Sequence, residues 1–186
     1  GVQKYMIIDG QQRMTTLTLL LLALRDYAIK NPGDTSINAR RIDNMLLKNE
    51  YENGDERYKL LLTETDRDIL INLVEEKPIA EGTRSRLIEN YKFFADKLAD
   101  KEILPAEVYE SIGKLQIVNI TLDRAVDDAQ AIFESLNSTG KELSESDLIR
   151  NYVLMGLEPS EQIYVYEHLW RPMEQLFVYE TQGTVM

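Results

Sequence analysis

The 186-residue chain has no cysteine, a single histidine (His168), five prolines and nine glycines. Without cysteine there is no disulfide, no zinc–thiolate centre and no thiol nucleophile. A lone histidine removes His-rich metal sites, two-His nuclease motifs and most His-based triads. Basic charge is scarce as well: 21 Lys and Arg against 32 Asp and Glu leave a net charge of −11. Neutralising phosphates takes clustered cations, so any DNA contact is expected through the intact protein rather than through this acidic chain alone. Long apolar runs are missing too. The longest, Leu17 to Leu24, is interrupted by Thr18 and falls short of the roughly 20 residues that cross a bilayer. No segment has the layout of a signal peptide, and we expect a cytoplasmic protein with no membrane partner.

Hydrophobic content of 44% and charge content of 28% are ordinary for a globular domain long enough to bury a sizeable core. Only Gly1-Val2-Gln3-Lys4 precedes the first apolar run, and Thr181 to Met186 is weakly patterned, so an excised fragment is the expectation. Tyr5 to Ile8 reads as a buried strand, Asp9-Gly10 as a turn, and Gln11 to about Lys30 as a helix apolar nearly all round. Asn31-Pro32-Gly33-Asp34 stops that helix. Ile37 to Leu47 is weakly helical, and Asn53-Gly54 suggests a hairpin between Leu46–Tyr51 and Tyr58–Leu62. A short helix opening at Thr65-Asp66 carries Ile69, Leu70, Leu73 and Val74 on one face. The amphipathic stretch from about Thr83 to Asp100 follows, and Pro105 starts another helix to about Ile112. Leu115 to Leu122 is rich in β-branched residues and predicts a core strand. Further on, Ala129, Ile132, Phe133 and Leu136 are spaced as a helix face, and Ser144 is set to cap the next helix. The last helix runs from about Ser160 to Phe177, with Pro172 expected to kink or restart it. The Tyr164, Tyr166, Trp170, Phe177 and Tyr179 cluster reads as core or as a dock for a further C-terminal portion, and His168 as packing on a helix surface.

Two stretches concentrate polar side chains. In the first, a strand–turn–helix junction presents free backbone N–H groups and the positive end of the helix dipole, which suits phosphate. Arg13 adds a planar cationic fork, Gln11 and Gln12 can orient a base, sugar or water, and Asp9 can hold a metal or polarise that water. The competing reading is that Asp9 caps the helix, Gly10 makes the turn and the rest is solvated surface. In the second, Glu134, Asn137, Ser138, Thr139 and Gly140 are followed by Asp147, Arg150 and Asn151, which share one helix side. Asp147 can bind a metal or orient Arg150, and Arg150 can hold a phosphate or an acidic partner. Equally, Asp147 can be a cap, Asp147–Arg150 a surface pair and Asn137 a helix end.

Both stretches resemble one family. Ile8-Asp9-Gly10-Gln11-Gln12-Arg13-Met14-Thr15-Thr16-Leu17 is similar to the I-D-G-Q-Q-R-L-T-T-L signature of the GmrSD-type restriction-endonuclease N-terminal domain, with Met14 in place of Leu. Ile132-Phe133-Glu134-Ser135-Leu136-Asn137-Ser138-Thr139-Gly140-Lys141-Glu142-Leu143, with Asp147-Leu148-Ile149-Arg150-Asn151, resembles the family's second block. The resemblance spans Tyr5 to about Trp170.

It implies an α+β, predominantly helical fold: a ParB/sulfiredoxin-like core elaborated by helices, with a small sheet centred on the DGQQR strand–turn–helix. As a single domain over 1–186, it would comprise a core with helical insertion over 1–122 and a helical second-motif region over 123–186. The resemblance also implies bacterial defence against phage or modified foreign DNA, with nucleoside triphosphate (NTP) binding and hydrolysis. Asp9, Gln12 and Arg13 become catalytic candidates. Gly10, Gln11, Gln12, Arg13, Thr15, Asn137, Arg150 and Asn151 become nucleotide-binding candidates, and Asp9 and Asp147 candidate ligands for Mg²⁺ accompanying the NTP. A C-terminal HNH-type nuclease domain or a homo-oligomer would be partners, and no HNH motif lies in these residues. A metal-dependent nuclease within the domain and a non-enzymatic interaction module are the alternatives. For the nuclease, Gln11 is a poor metal ligand where an acidic residue is needed.

Overall fold

The computed structural model describes residues 1–100, 103–122, 132, 149–150, 152–154, 157, 159–173 and 176. Two compact units are distinguished, Gly1–Val118 and Asn119–Met186.

The first unit is built around helix α1 (Gln11–Lys30). Its leucine-rich middle has apolar side chains on every side, so other elements pack round it; Leu19, Leu22, Ala23, Leu24 and Ala28 are buried. Full burial of each leucine is worth ~1.5–3 kcal/mol. Asn31 ends it, giving both its backbone N–H and its side-chain amide to the Tyr27 carbonyl before Pro32.

Helix α2 (Ala39–Arg41) is capped by Asn38, whose side chain accepts the Arg41 N–H, and runs on into a π-helical segment, Ile42–Leu47. Ile42 and Leu47 are buried against the α1 leucines. The expected hairpin survives as one antiparallel bridge, Lys48 to Tyr58. Its connection is a short 3-10 helix, Gly54–Arg57, opening on Gly54 at φ 58°. Helix α3 (Glu64–Val74) brings Leu70 and Val74 to the core, and α4 (Arg86–Ala99) brings Leu87 and Leu98. Ser85 caps α4 by accepting the Leu87 N–H at 3.1 Å. Half-buried Tyr91, Phe94 and Ala95 complete its inward face against α1. Helix α5 (Pro105–Ile112) begins at Pro105, where a missing N–H costs nothing.

Two strand expectations are corrected. Residues 5–8 adopt no regular secondary structure, and Tyr5 is 64% exposed. Residues 115–122 have none either, with Leu115, Ile117, Val118 and Ile120 all exposed, Val118 at 86%. Among the described residues there is no sheet: β-branched content favours a strand, but a ladder needs a neighbouring backbone, and neither segment has one there.

In the second unit, helix α6 (Pro159–Val165) passes into a π-helical turn, Tyr166–Trp170. The Arg171 N–H reaches back five residues to the Tyr166 carbonyl just ahead of Pro172. Proline lacks an N–H and crowds the carbonyl four residues back, so the winding loosens there instead of stopping. His168 is exposed and stacks on Tyr164 with ring centroids 4.5 Å apart. Tyr164 is also exposed, which goes against the core half of that cluster's core-or-dock reading. Phe177 and Tyr179, with the helix face around Ala129, Phe133 and Leu136 and the Ser144 cap, lie outside the described residues.

Candidate functional site

The turn that starts α1 closes on itself through Asp9. Gly10 is the residue before the helix, at φ 87° and ψ 10°, a left-handed conformation that a residue with a Cβ resists. One Asp9 carboxylate oxygen accepts the Gly10 N–H at 2.6 Å. The other accepts Arg13 Nη2 at 2.8 Å, one turn on. Arg13 is thereby folded back beside Gly10, and a Cβ there would sit 3.5 Å from Nη2. Gln11 gives its side-chain amide to the Ile7 carbonyl at 2.7 Å, while the Thr15 and Thr16 hydroxyls donate to the Gln11 and Gln12 carbonyls. No side chain caps the helix, so its first-turn N–H groups face outward without a side-chain acceptor. The Arg13 side chain is 75% exposed and that of Asp9 40%. Chemically, the turn is an open cationic end beside one accessible carboxylate. The capping alternative is realised in part: Asp9 holds the turn, but Gly10 occupies the cap position.

A second polar cluster, which the sequence pattern did not single out, has Arg25 and Lys48 buried and its carboxylates half-buried. Arg25, 1% exposed on α1, donates Nε to Asp26 at 2.8 Å and Nη1 to Asp43 at 3.1 Å. It also donates to the Val74 and Leu73 carbonyls at 2.7 and 3.2 Å, satisfying the end of α3. Lys48 Nζ bridges Asp43 at 3.0 Å and Glu75 at 3.6 Å, and Arg57 Nε reaches Glu75 at 2.9 Å. Burial works against the Arg25 charge, but the hydrogen bonds and charges of Asp26 and Asp43 outweigh it and hold the guanidinium above its ordinary value. Burial likewise pushes Glu75 up, and is outweighed by Arg57 and Lys48, so its carboxyl lies below its ordinary value. The signal available in the sequence was Arg25-Asp26, a charged pair directly after the apolar run Leu19 to Leu24.

The family model of the GmrSD restriction endonuclease, N-terminal domain, matches residues 1–154. The chain belongs to this family. Neither the curated proteins nor the solved structures contain a match. Membership in the GmrSD N-terminal domain family ties the chain to restriction-type endonucleases and suggests a role in defence against phage.

Within this GmrSD N-terminal domain, the first motif is therefore resolved in full, and Asp9, Gly10 and Arg13 stand together as one turn. Gln11 and Thr15 are committed to carbonyls of the turn and first helical turn. Of the second motif, Arg150 is helical and half-buried, whereas Glu134, Asn137, Ser138, Thr139, Gly140, Asp147 and Asn151 lie outside the described residues. Ile149 and Tyr152, beside Arg150 in sequence, are exposed. Among the described residues no three His, Asp or Glu side chains cluster as metal ligands. Nor is any helix among them long and apolar enough to cross a membrane.

Proposed function

We propose that this GmrSD N-terminal domain binds and hydrolyses a nucleoside triphosphate, as the regulatory and sensing part of a restriction-type protein that acts on modified DNA. The observation carrying this reading is the uncapped N-terminus of α1 with Arg13 poised across Gly10. Phosphate oxygens would accept the free N–H groups after Gly10 and the Arg13 guanidinium, with Gln11, Gln12 and Thr15 beside them. Asp9 suits Mg²⁺, which binds through one or two carboxylates plus phosphate oxygens and keeps several waters; Asp9 is accessible, and Asp147 is the second candidate. Mg²⁺ would neutralise developing charge on the phosphates, while Arg13 orients them and Gln12 positions a water. Asn137, Arg150 and Asn151, in the family's second block, are the further nucleotide-binding candidates that the resemblance implies. Cytoplasmic location and DNA contact through a partner nuclease domain or a homo-oligomer belong to the same proposal.

The test is phosphate release from NTP and Mg²⁺ by the intact protein. Arg13→Ala and Asp9→Ala are expected to abolish it, and full activity in both would overturn the proposal. A second reading draws on the same geometry: because Asp9 and Arg13 already satisfy each other, the turn can be purely structural in a non-enzymatic interaction module. Calorimetry showing no NTP binding to intact protein, with an Arg13→Ala variant that folds and engages its partner normally, would favour it.

A further inference from the structure

The Arg25 cluster is a continuous chain of alternating charge: Asp26, Arg25, Asp43, Lys48, Glu75, Arg57. Tyr91 closes one end by donating to Asp26. This chain runs through the π-helical segment Ile42–Leu47, where Asp43 and Lys48 are joined twice. The Lys48 backbone N–H donates to the Asp43 carbonyl at 2.8 Å, an i to i+5 bond, and the Lys48 ammonium meets the Asp43 carboxylate at 3.0 Å. In an α-helix, residues five apart point about 140° away from each other, so such a side-chain pair is not formed. Winding five residues to a bond brings them toward one face.

We propose that the charge chain sets the winding of Ile42–Leu47, making it a two-state element: π-helical with Lys48 held between Asp43 and Glu75, α-helical when that grip is lost. Rewinding takes one residue out of the turn and swings Lys48 away from Tyr58. The Lys48–Tyr58 bridge then loses register, together with its flanking bonds from Asn49 N–H to the Arg57 carbonyl and from Lys59 N–H to the Leu47 carbonyl. A hinge is thus built between α1 and the end of α3, set by one ammonium group.

Lys48→Met isolates the effect. Asp43 keeps Arg25 and Glu75 keeps Arg57, so neither half-buried carboxylate is stranded, and Ile42 and Leu47 are untouched. Through-hydrogen-bond NMR couplings identify which carbonyl the residue-48 amide uses in the 186-residue chain. In the wild type the coupling runs to Asp43. In Lys48→Met it is expected to move to Asn44, with amide exchange at Asn49 and Lys59 faster by ~10-fold or more. Lys48→Arg, which keeps the charge, is expected to retain the Asp43 coupling. Persistence of that coupling in Lys48→Met would overturn the proposal, because the apolar pair Ile42 and Leu47 would then suffice to set the winding. Should Lys48→Met not fold, Asp43→Asn is read by the same coupling and the same two outcomes.

Discussion

Tyr91 donates its hydroxyl to Asp26 at 2.5 Å, so α4 is fastened to α1 by a hydrogen bond whose partners are 65 residues apart. Burial, the bond to Asp26 and the charge of Asp26 together push the Tyr91 phenol above its ordinary value. A raised value means that the protonated phenol is the form the fold favours. Its contribution is complete below the unfolded-chain value near ~10 and is lost as pH rises through the folded value. Tyr91→Phe is expected to cost ~1.5–3 kcal/mol at neutral pH, the worth of a hydrogen bond to a charged group. Urea denaturation at neutral and alkaline pH checks this: the gap between variant and wild type should begin to narrow above pH ~10.

Glu75 gives the opposite sign. Its folded carboxyl is held below its ordinary value by Arg57 and Lys48 despite burial. Such a group stabilises above its unfolded-chain value near ~4.3, and that contribution is lost as pH falls through the folded value. Glu75→Gln should therefore be less stable than wild type at neutral pH and converge with it in acid. Thermal melts across the acid range read the convergence.

Arg25 is surrounded by acceptors with nothing to replace it. Arg25→Met would leave Asp26 without its cation, Asp43 with Lys48 alone, and the Val74 carbonyl without its donor. We expect a loss of ~3–5 kcal/mol, the usual result of removing one partner of a buried ion pair. Denaturation midpoints would show it. A loss below ~1 kcal/mol, the range of exposed pairs, would mean that the guanidinium is solvated in solution.

Gly10 is a conformational requirement of the candidate site. At φ 87° an alanine is strained by ~1–2 kcal/mol, although its Cβ would meet Arg13 only at ordinary contact distance. Gly10→Ala should lower the melting temperature by ~2–8 °C, and Gly10→Asn by less. Equal melting for all three proteins would show that the turn relaxes into another conformation.

Much of the helical scaffold was legible in the residues themselves. α1 appears within its expected limits because an apolar run bounded by Asp9-Gly10 and Asn31-Pro32 leaves few other places to start and stop. Pro105, too, marks its helix start. The start of α4 moved from Thr83 to Arg86 because Ser85 offers the capping hydroxyl. The Asp9–Arg13 turn could be anticipated as well, since its partners are four residues apart and local geometry brings them together.

What only the tertiary structure decided depends on contacts between distant residues. Residues 5–8 and 115–122 carry strand-forming side chains, yet strand formation is settled by a neighbouring backbone, which composition does not specify. Arg25, Asp43, Lys48 and Glu75 look like scattered surface charges along the chain. They become one network around the buried Arg25 and Lys48 because α1, the π-helical segment and the end of α3 converge. The sequence determined the helices, the Gly10 turn and the family to which the domain belongs. Packing decided which charges were taken out of water, because the cost of desolvating an ion is met only where opposite charges and free carbonyls arrive at the same place.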